Sequence, residues 1–499
     1  MYKNLIKGAM FLLLLLAVVF ACNKKVLEID PLNATEDAFF VKETEFTRAV
    51  YGMYAKLTDL YWFNGGNPVM EIQYLMGDDV TTTNARPYEH FGSLEDGNSK
   101  SAYFYTRVYR MIGRCNIVLE KIEEEDGVYT TPNLKNTHKG EAFFLRGLGF
   151  YWLWNFYGTS PVVTNRVKSS ADFTPGNSQG NELLDQAILD FTEAASLLPA
   201  SWPASDAGRA TKNAAYGFLG KSLVFRGTVT SAAADHQAAI QAFNQISGAV
   251  LVPNFADNFA YDTENNAESL FEFQASKPYG TDNVWLENDF NDAVGSLSTY
   301  WGYYYTGNTA SNSNVNFLAT NKLINAYNPA DPRLDSTVNT ADKHIRKYSS
   351  RDQRTNTNVG SYNNPRILRY ADILLLHAEA LIQSGGSTST AIGLINQVRT
   401  RARTMGGGSE PANYSTSETN TTTIMNWIMN ERYLELACEG QRWYDIRRWH
   451  MAGLITLNNN FFDPINAGEM SFQDPKHLLL PIPTAETSKN PNMVQNPGY

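Results

Sequence analysis

The 499-residue chain has few of the side chains on which metal sites and nucleophilic catalysis depend. Its seven histidines are scattered and its three cysteines, Cys22, Cys115 and Cys438, lie far apart. It therefore has no closely spaced ligand cluster of the kind that binds zinc. No Walker-type phosphate loop, dinucleotide fingerprint or Gly-x-Ser-x-Gly nucleophile elbow is predicted either. These absences favour a protein that binds a ligand without converting it, and we expect no cofactor and no metal site.

Positive charge is also scarce, with 41 Lys and Arg against 51 Asp and Glu and a net charge of −10. Nucleic-acid binding requires clustered basic residues to meet the phosphate backbone, so nucleic acid is excluded as a partner class. Cys115 and Cys438 fall in apolar helical patterns, which predicts buried free thiols. A disulfide between them is disfavoured, although the sequence leaves it open.

The amino terminus has the form of a bacterial export signal. Lys3 and Lys7 precede an uninterrupted apolar run of 13 residues, 9–21, which is shorter than the roughly 20 residues of a membrane span. The run ends at Cys22 as in a lipobox, which predicts a signal peptide over 1–21 and lipidation of Cys22. An ordinary signal peptide with an incidental cysteine is the alternative. The mature chain would carry 39 basic and 51 acidic residues, a net charge of −12, on a lipid anchor.

Helical periodicity dominates residues 22–499, and no linker-like boundary divides them. The pattern is interrupted between about residues 246 and 367 by a stretch rich in Asn, Thr, Gly and aromatics. Helices too small to bury an apolar face alone must pair, which favours an α-solenoid of tetratricopeptide type. The predicted helices span residues 103–125, 138–157, 181–198, 211–226, 235–246, 367–383, 388–403 and 422–438.

Several segments together resemble one protein family. The most specific are NERYLELACEGQRWYDIRRW (430–449), HLLLPIP (477–483) and RYADILLLHAEA (369–380). Further matches are LEIDP (27–31), EAFFLRG (141–147), FYGTSPVV (156–163), GRATKNAA (208–215) and QNPGY (495–499). These motifs are similar to those of the SusD/RagB family of outer-membrane nutrient-binding lipoproteins, and they cover nearly the whole mature chain. Residues 430–449 are interpreted as a single ion-paired helix.

The resemblance implies both fold and role. The fold would be mainly α, with a tetratricopeptide-like α-solenoid of four helix pairs, a large loop-rich insertion and minor β structure. About residues 22–270 would form the N-terminal part with the helical repeats, and about 271–499 the C-terminal part with the insertion and the last helix pair.

The implied role is a cell-surface lipoprotein that binds an oligosaccharide or polysaccharide and delivers it to a SusC-like TonB-dependent transporter, with no bond made or broken. Outer-membrane attachment and exposure to the cell exterior follow from that role. Asn23-Lys24-Lys25 depart from the acidic residues that often follow the cysteine in surface-displayed relatives.

Ligand contacts are expected in the irregular segments, where the backbone is free to present side chains. In the family, the site draws on a loop that corresponds to residues 78–100 and on the insertion before the last helix pair. Within this loop the candidate contacts are Asn84, Arg86, Tyr88 and Phe91. Within the insertion they are Trp285, Tyr300, Trp301 and Tyr303.

Aromatic rings beside amides and charges suit a sugar, because a sugar ring has an apolar face and a polar edge. Five aromatics fall within residues 300–305. The alternative is that this segment is a strand whose rings alternate between the core and a transporter. On a strand, Trp301 and Tyr303 would face one side and Tyr300 the other.

Charged residues within the motifs are expected to be structural, because charges among apolar neighbours are seldom buried unpaired. They are Arg146, Arg209, Arg369, Glu379, Glu431, Glu435, Glu439 and Arg442. The acidic groupings Asp78-Asp79, 123–126 and Glu287 with Asp289 do not by themselves make a glycosidase, which needs two carboxyls at a defined separation. Peptide cargo, a surface glycoside hydrolase and a helical adaptor remain the alternative functions.

Overall fold

Helices dominate the computed structural model, which describes residues 39–61, 68–82, 87–169, 174–275, 317–351, 361, 363–463 and 467–499. The α-helices are α1 (Glu43–Tyr54), α2 (Thr58–Tyr61), α3 (Pro68–Leu75), α4 (Pro87–His90), α5 (Ser99–Glu124), α6 (Leu134–Phe156), α7 (Glu182–Leu197), α8 (Lys212–Thr230), α9 (Ala233–Phe243), α10 (Asn321–Ala326), α11 (Arg333–Thr337), α12 (Tyr370–Gln383), α13 (Thr388–Gly406), α14 (Thr421–Glu435), α15 (Arg442–Met451), α16 (Asn459–Phe462) and α17 (Thr484–Thr487). The strands are β1 (Val80–Thr82), β2 (Ser269–Glu272), β3 (Phe317–Ala319), β4 (Val338–Asn339), β5 (His344–Ile345) and β6 (Arg366–Arg369).

The long helices form a continuous array in which each packs on its neighbour. α5 packs on α6, α6 on α7, α7 on α8 and α8 on α9. After the irregular region, α12 packs on α9 and carries α13 and α14. This arrangement confirms the predicted fold class of paired helices interrupted by an insertion, and most helix bounds lie within a few residues of those predicted.

Close approach between neighbouring helices depends on glycine. A Cβ placed on Gly149 of α6 would lie 2.8 Å from a side-chain carbon of Ile112 on α5. One placed on Gly220 of α8 would lie 2.2 Å from the ring of Phe243 on α9. Carbon atoms that are not bonded to each other cannot approach so closely. A side chain at either position would therefore push apart α5 and α6, or α8 and α9.

The segment 430–449 departs from the sequence prediction, because it is two helices and not one. α14 ends at Glu435, and α15 begins at Arg442. In the turn between them Cys438 and Gly440 have φ of 59° and 73°, the left-handed conformation that ends a helix. Trp443 then lies in the core at the start of α15.

The motif charges are paired, as predicted. Arg369 donates to Glu268 at 2.9 Å, to Glu435 at 2.7 Å and to Glu439 at 2.8 Å, and all four side chains are buried. Removing one partner from such a cluster would leave an uncompensated buried charge. The remaining motif charges pair as Arg146–Asp190, Arg209–Glu141, Glu379–Arg448, Glu431–Arg333, Glu431–Arg399 and Arg442–Asp78.

Among the residues that the structure describes, two small antiparallel sheets accompany the helices, one with the strand order β1-β3-β5-β4 and one that pairs β2 with β6. Cys115 and Cys438 are both buried and neither forms a disulfide, which confirms the prediction made for both. Among the helices within the described ranges, none is long and apolar enough to cross a membrane.

Candidate functional site

The residue before one predicted ligand-binding segment lies next to the residue after the other. Thr82 is the last described residue before 83–86, and Phe317 is the first after 276–316. The two residues are register partners in the antiparallel pairing of β1 with β3. Two residues more than two hundred positions apart in sequence therefore lie side by side at the same end of the β1–β3 pairing.

Six of the eight predicted contact residues lie outside the described residues, as does the lipidation site Cys22. Their predicted roles therefore stay predictions. These residues are Asn84, Arg86, Trp285, Tyr300, Trp301 and Tyr303.

The other two, Tyr88 and Phe91, are described, and the structure corrects their assignment. Tyr88 is fully buried, and its hydroxyl donates to the side-chain oxygen of Asn98 at 2.8 Å and lies 3.0 Å from that of Ser101. Asn98 caps α5. The ring of Phe91 stacks on His477 with centroids 5.4 Å apart. Both rings hold the loop onto the core and present no face to a ligand.

A polar cavity of about 210 Å³ lies beside the β1–β3 pairing. Its walls come from β1, the turn before it, α4, α10, the β4–β5 hairpin and the segment that follows α15. Because the lining is drawn from stretches far apart in sequence, no local pattern marks it. Sequence reasoning missed its principal polar residues, which are Asn321, Lys322, Asn325, Lys343 and Glu469.

The floor of the cavity is a buried ion pair cluster around Asp78. Arg442 donates to Asp78 through Nε at 2.5 Å, and the Lys322 ammonium lies 2.5 Å from the other carboxylate oxygen. Burial alone would raise the pKa of Asp78, but Arg442 and Lys322 together hold it below its ordinary value. This carboxylate is therefore ionised and fully engaged by the protein.

Asp79 next to it has the opposite character. Burial raises the pKa of Asp79 to about 6, and the charge of Asp78 adds to the increase. Its carboxylate accepts a hydrogen bond from the backbone N–H of Cys438 at 2.8 Å. Two adjacent carboxylates thus differ in pKa, but both are tied into the scaffold.

Glu89 in the cavity wall is also engaged. It accepts from the backbone N–H of Thr82 at 3.1 Å and from the hydroxyl of Thr81. These bonds fix the end of β1 to α4. The end of β1 is therefore anchored to α4 by two hydrogen bonds.

Four polar side chains of the lining make no hydrogen bond or ion pair with any part of the chain that the structure describes. Asn321, Asn325 and Glu469 are exposed, and Lys343 is half-buried. Two amides, an ammonium and a carboxylate offer both donors and acceptors to a ligand with many hydroxyl groups. The ring of Phe462 and the side chain of Met470 supply apolar surface in the same cavity.

No arrangement for catalysis stands out among the described residues. No group of three His, Cys, Asp or Glu side chains there could hold a metal ion. Within the acidic run 123–126, Glu123 pairs with Lys139 at 2.6 Å and Glu124 with Lys121 at 2.8 Å. Glu287 and Asp289 lie outside the described residues.

Residues 176–180 have the Gly-x-Ser-x-Gly spacing of a hydrolase nucleophile elbow. The described part of this region contains no strand before the motif, and the Ser178 hydroxyl is buried without a partner. A nucleophile needs a base within hydrogen-bond reach and an exposed oxygen. The motif therefore does not form an elbow.

Comparisons with known proteins agree along the length of the chain. A model described as "SusD family" matches residues 231–499, and one described as "Starch-binding associating with outer membrane" matches residues 44–223. SusD-like protein P2 of Formosa agariphila is 28% identical over 98% of this chain and 99% of its own length.

Solved structures show the same fold. A SusD superfamily protein from Bacteroides vulgatus is 25% identical, with a TM-score of 0.73, over 92% of this chain and all of its own. Surface glycan-binding protein A from Bacteroides thetaiotaomicron, solved in complex with laminarihexaose, is 19% identical with a TM-score of 0.71. That match covers 91% of this chain and 99% of the other.

Proposed function

The chain belongs to the SusD family, and on that premise we propose that it captures an oligosaccharide or polysaccharide at the edge of the β1–β3 sheet. One observation carries this proposal. The ends of the two segments that hold the six remaining predicted contacts, 83–86 and 276–316, adjoin through the pairing of Thr82 with Phe317, beside a cavity that offers unengaged amides. A ligand held there would meet polar side chains from the scaffold and from residues 83–86, and aromatic rings from residues 276–316.

The names of similar proteins support a carbohydrate ligand. One relative with the same fold was solved with laminarihexaose, and one family description names starch binding. The lining of the cavity is consistent with this class, because asparagine amides pair with adjacent sugar hydroxyls as both donor and acceptor. A peptide is the alternative cargo.

We further propose that the protein acts at the outer membrane through a lipid on Cys22 and delivers its ligand to a SusC-like TonB-dependent transporter. The family description that names the outer membrane supports this location. Replacement of Cys22 by Ala tests the anchor. The variant should move from the membrane fraction to the soluble fraction, and retention in the membrane would contradict lipid anchoring at this residue.

Delivery is tested by co-expressing the protein with a SusC-like TonB-dependent transporter. The lipidated protein should co-purify with it after detergent extraction, and ligand uptake should fall when the binding protein is deleted. Uptake that continues unchanged in the deletion strain would contradict the delivery role.

Ligand capture is tested by calorimetry on the soluble protein that starts after Cys22, with plant, host and microbial polysaccharides and a peptide mixture. A double Asn321→Ala, Asn325→Ala variant and a Trp301→Ala variant should each weaken binding at least about tenfold. That loss corresponds to one or two hydrogen bonds for the asparagines and to one stacked ring for Trp301. Asn244→Ala, an exposed asparagine on the helical array, is the matched control and should bind like the wild type.

Each outcome of this experiment decides between the candidates. Glycan binding lost in the cavity variants, with no fragments released, supports capture. Binding of the peptide mixture alone would replace the glycan by a peptide. Release of shortened glycan would contradict binding without turnover.

A further inference from the structure

Trp202 lies in the connection between α7 and α8 and does not belong to the hydrophobic core of the described residues. Its side chain is half-buried, and the residues on either side of it are exposed. The indole Nε1–H donates to the backbone carbonyl of Ala210 at 2.8 Å, and Cζ of Arg209 lies over the ring, 3.8 Å from its centroid. The indole is therefore held in one orientation at the surface of the scaffold.

The same indole lines a cavity of about 300 Å³. The walls of this cavity come from the α7–α8 connection, the start of α8, the segment that follows α9 and the segment that runs into β2. The cavity beside the β1–β3 pairing is lined by other elements, and the two cavities share no lining residue. They are therefore separate places at which a ligand could bind.

The charged residues among the described lining of this second cavity are both paired within the protein. They are Arg209 and Glu272. Arg209 lies 2.7 Å from the carboxylate of Glu141 and 2.8 Å from that of Asp206. The carboxylate of Glu272 lies 3.3 Å from Nε of Arg366. A charged ligand would find no free counter-charge on these walls, which favours an uncharged ligand.

Uncharged hydrogen-bonding groups line the same cavity. The hydroxyls of Ser201, Ser247 and Ser269 make no hydrogen bond with any part of the chain that the structure describes. The amide of Asn213 exchanges two hydrogen bonds with the backbone of Ser247, at 2.7 Å and 3.3 Å, and keeps one N–H and one acceptor position unused. Each serine hydroxyl both donates and accepts, so these groups suit a ligand that carries many hydroxyls.

We propose that this cavity is a second glycan-binding site, which takes an uncharged sugar that stacks on Trp202 and bonds to the hydroxyls of Ser201 and Ser247. A sugar ring has an apolar face that matches an indole, and hydroxyls on its edge that match serine. Because the indole N–H is already bonded to Ala210, the tryptophan offers its apolar surface alone. The site is additional to the capture site at the β1–β3 edge and does not depend on it.

The test is calorimetry of the soluble protein that starts after Cys22, with laminarihexaose, maltohexaose and cellohexaose as neutral probes and the peptide mixture beside them. The measurement is made on the wild type and on the double Asn321→Ala, Asn325→Ala variant, in which the cavity beside the β1–β3 pairing is impaired. At least one hexaose should still bind this double variant saturably.

Further substitutions in the double variant assign the remaining binding. Ser201→Ala combined with Ser247→Ala should weaken it about tenfold, which corresponds to two lost hydrogen bonds. Trp202→Ala should weaken it by a similar factor, through the lost ring contact. Ser409→Ala, an exposed serine outside both cavities, is the matched control and should leave affinity unchanged.

Melting temperatures separate binding from a purely structural role of Trp202. The ring also covers Arg209 and its ion pairs, so Trp202→Ala is expected to lower the melting temperature. The two serine hydroxyls make no bond to these ion pairs, and their removal should leave the melting temperature within a few degrees. A tenfold loss of affinity in the serine variant therefore reports on the ligand contact itself.

The failures of the two proposals can be told apart. A wild type that binds a hexaose and a double Asn321→Ala, Asn325→Ala variant that binds none would overturn this inference and leave capture at the β1–β3 edge intact. Remaining binding that the serine changes do not weaken, or that only the peptide mixture shows, would also overturn it. Hexaose binding that the double variant retains in full and that the serine changes abolish would support this site and contradict capture at the β1–β3 edge.

Discussion

The Asp79 carboxylate accepts a hydrogen bond at 2.8 Å from the backbone N–H of Cys438, 359 positions later in the chain. Cys438 lies in the left-handed turn between α14 and α15. This bond joins the strand beside the cavity to the ion-paired helices of the scaffold. The position of β1 therefore depends on the turn that breaks the C-terminal motif in two.

Asp79→Asn should stabilise the protein at neutral pH. Burial raises the pKa of Asp79 in the folded state to about 6, from an ordinary value of 3.8. Between pH 3.8 and pH 6 the folded protein therefore holds a proton that the unfolded chain has released. The contribution of Asp79 to the free energy of unfolding is complete below pH 3.8. It is lost as the pH rises through 6, which lowers the free energy of unfolding by about 2–3 kcal/mol. Asparagine keeps an acceptor for Cys438 without the charge. The free energy of urea unfolding at pH 4 and pH 7.5 measures the effect.

The control for this prediction is Asp78→Asn. That change leaves Arg442 and Lys322 without their carboxylate and should cost about 3–5 kcal/mol at pH 7.5. An Asp79→Asn variant that is less stable than the wild type at pH 7.5 would contradict the account, because it would show that the ionised carboxylate stabilises the fold.

Two buried histidines should make the fold less stable in acid. Burial lowers the pKa of both His138 and His477 to about 4 from the ordinary 6.5. Between these values the unfolded state binds protons that the folded state does not, so stability falls as pH drops from 6.5 to 4. The ring protons of both residues, followed by NMR, should keep the chemical shifts of neutral imidazole down to about pH 5 and titrate with a midpoint of about 4. Titration of either ring near pH 6.5 in the folded protein would refute the assignment.

Replacing the adjacent arginines Arg447 and Arg448 of α15 by an uncharged residue should change the free energy of unfolding by different amounts. Arg448 pairs with Glu379 and, at 2.9 Å, with Asp445. Arg447 is equally buried, but within the described residues it has no carboxylate partner. It donates to the carbonyl of Leu478 at 2.9 Å and lies over the ring of Trp154, and burial lowers its pKa to about 10.

Arg448→Met should therefore cost about 3–5 kcal/mol, because Glu379 would be left buried and unpaired. Arg447→Met should change the free energy of unfolding by no more than about 1 kcal/mol, since the lost hydrogen bond is offset by removal of a desolvated cation. Thermal melts of the two variants at pH 7.5 compare them. Equal losses would mean that Arg447 has a compensating partner.

Tyr88→Phe should affect stability and not ligand affinity. Its hydroxyl joins the loop to the cap of α5 through Asn98 and Ser101, and its loss should cost about 1 kcal/mol. Calorimetry with the best glycan should give an unchanged affinity. A tenfold loss of affinity in a variant that melts normally would return Tyr88 to the ligand site.

The scaffold could be read from the sequence because it rests on local patterns. Apolar spacing located the long helices, and motif charges such as Arg369 and Glu435 were correctly expected to pair. The break at Cys438 and Gly440 was missed where residues 430–449 were interpreted as one helix, although the helix predicted over 422–438 ends there and glycine is a residue that often ends helices. Tyr88 was predicted to contact ligand because the sequence suggested a loop, whereas the structure places it on α4 and buries it against the start of α5.

The cavity could not be read from the sequence, because its lining comes from separate segments joined by the pairing of β1 with β3. Asn321 and Lys343 are single polar residues in unremarkable surroundings. Only the register of Thr82 with Phe317 shows that the loop and the insertion adjoin. Long-range strand pairing of this kind is not encoded in any local pattern.

The measurement that tests the account most directly is a crystal structure of the soluble protein with its tightest-binding oligosaccharide. The account predicts a sugar within hydrogen-bond distance of Asn321 or Asn325, next to the paired ends of β1 and β3, with aromatic rings from residues 276–316 against its faces. A sugar bound on another face of the scaffold, with this cavity filled only by solvent, would contradict it.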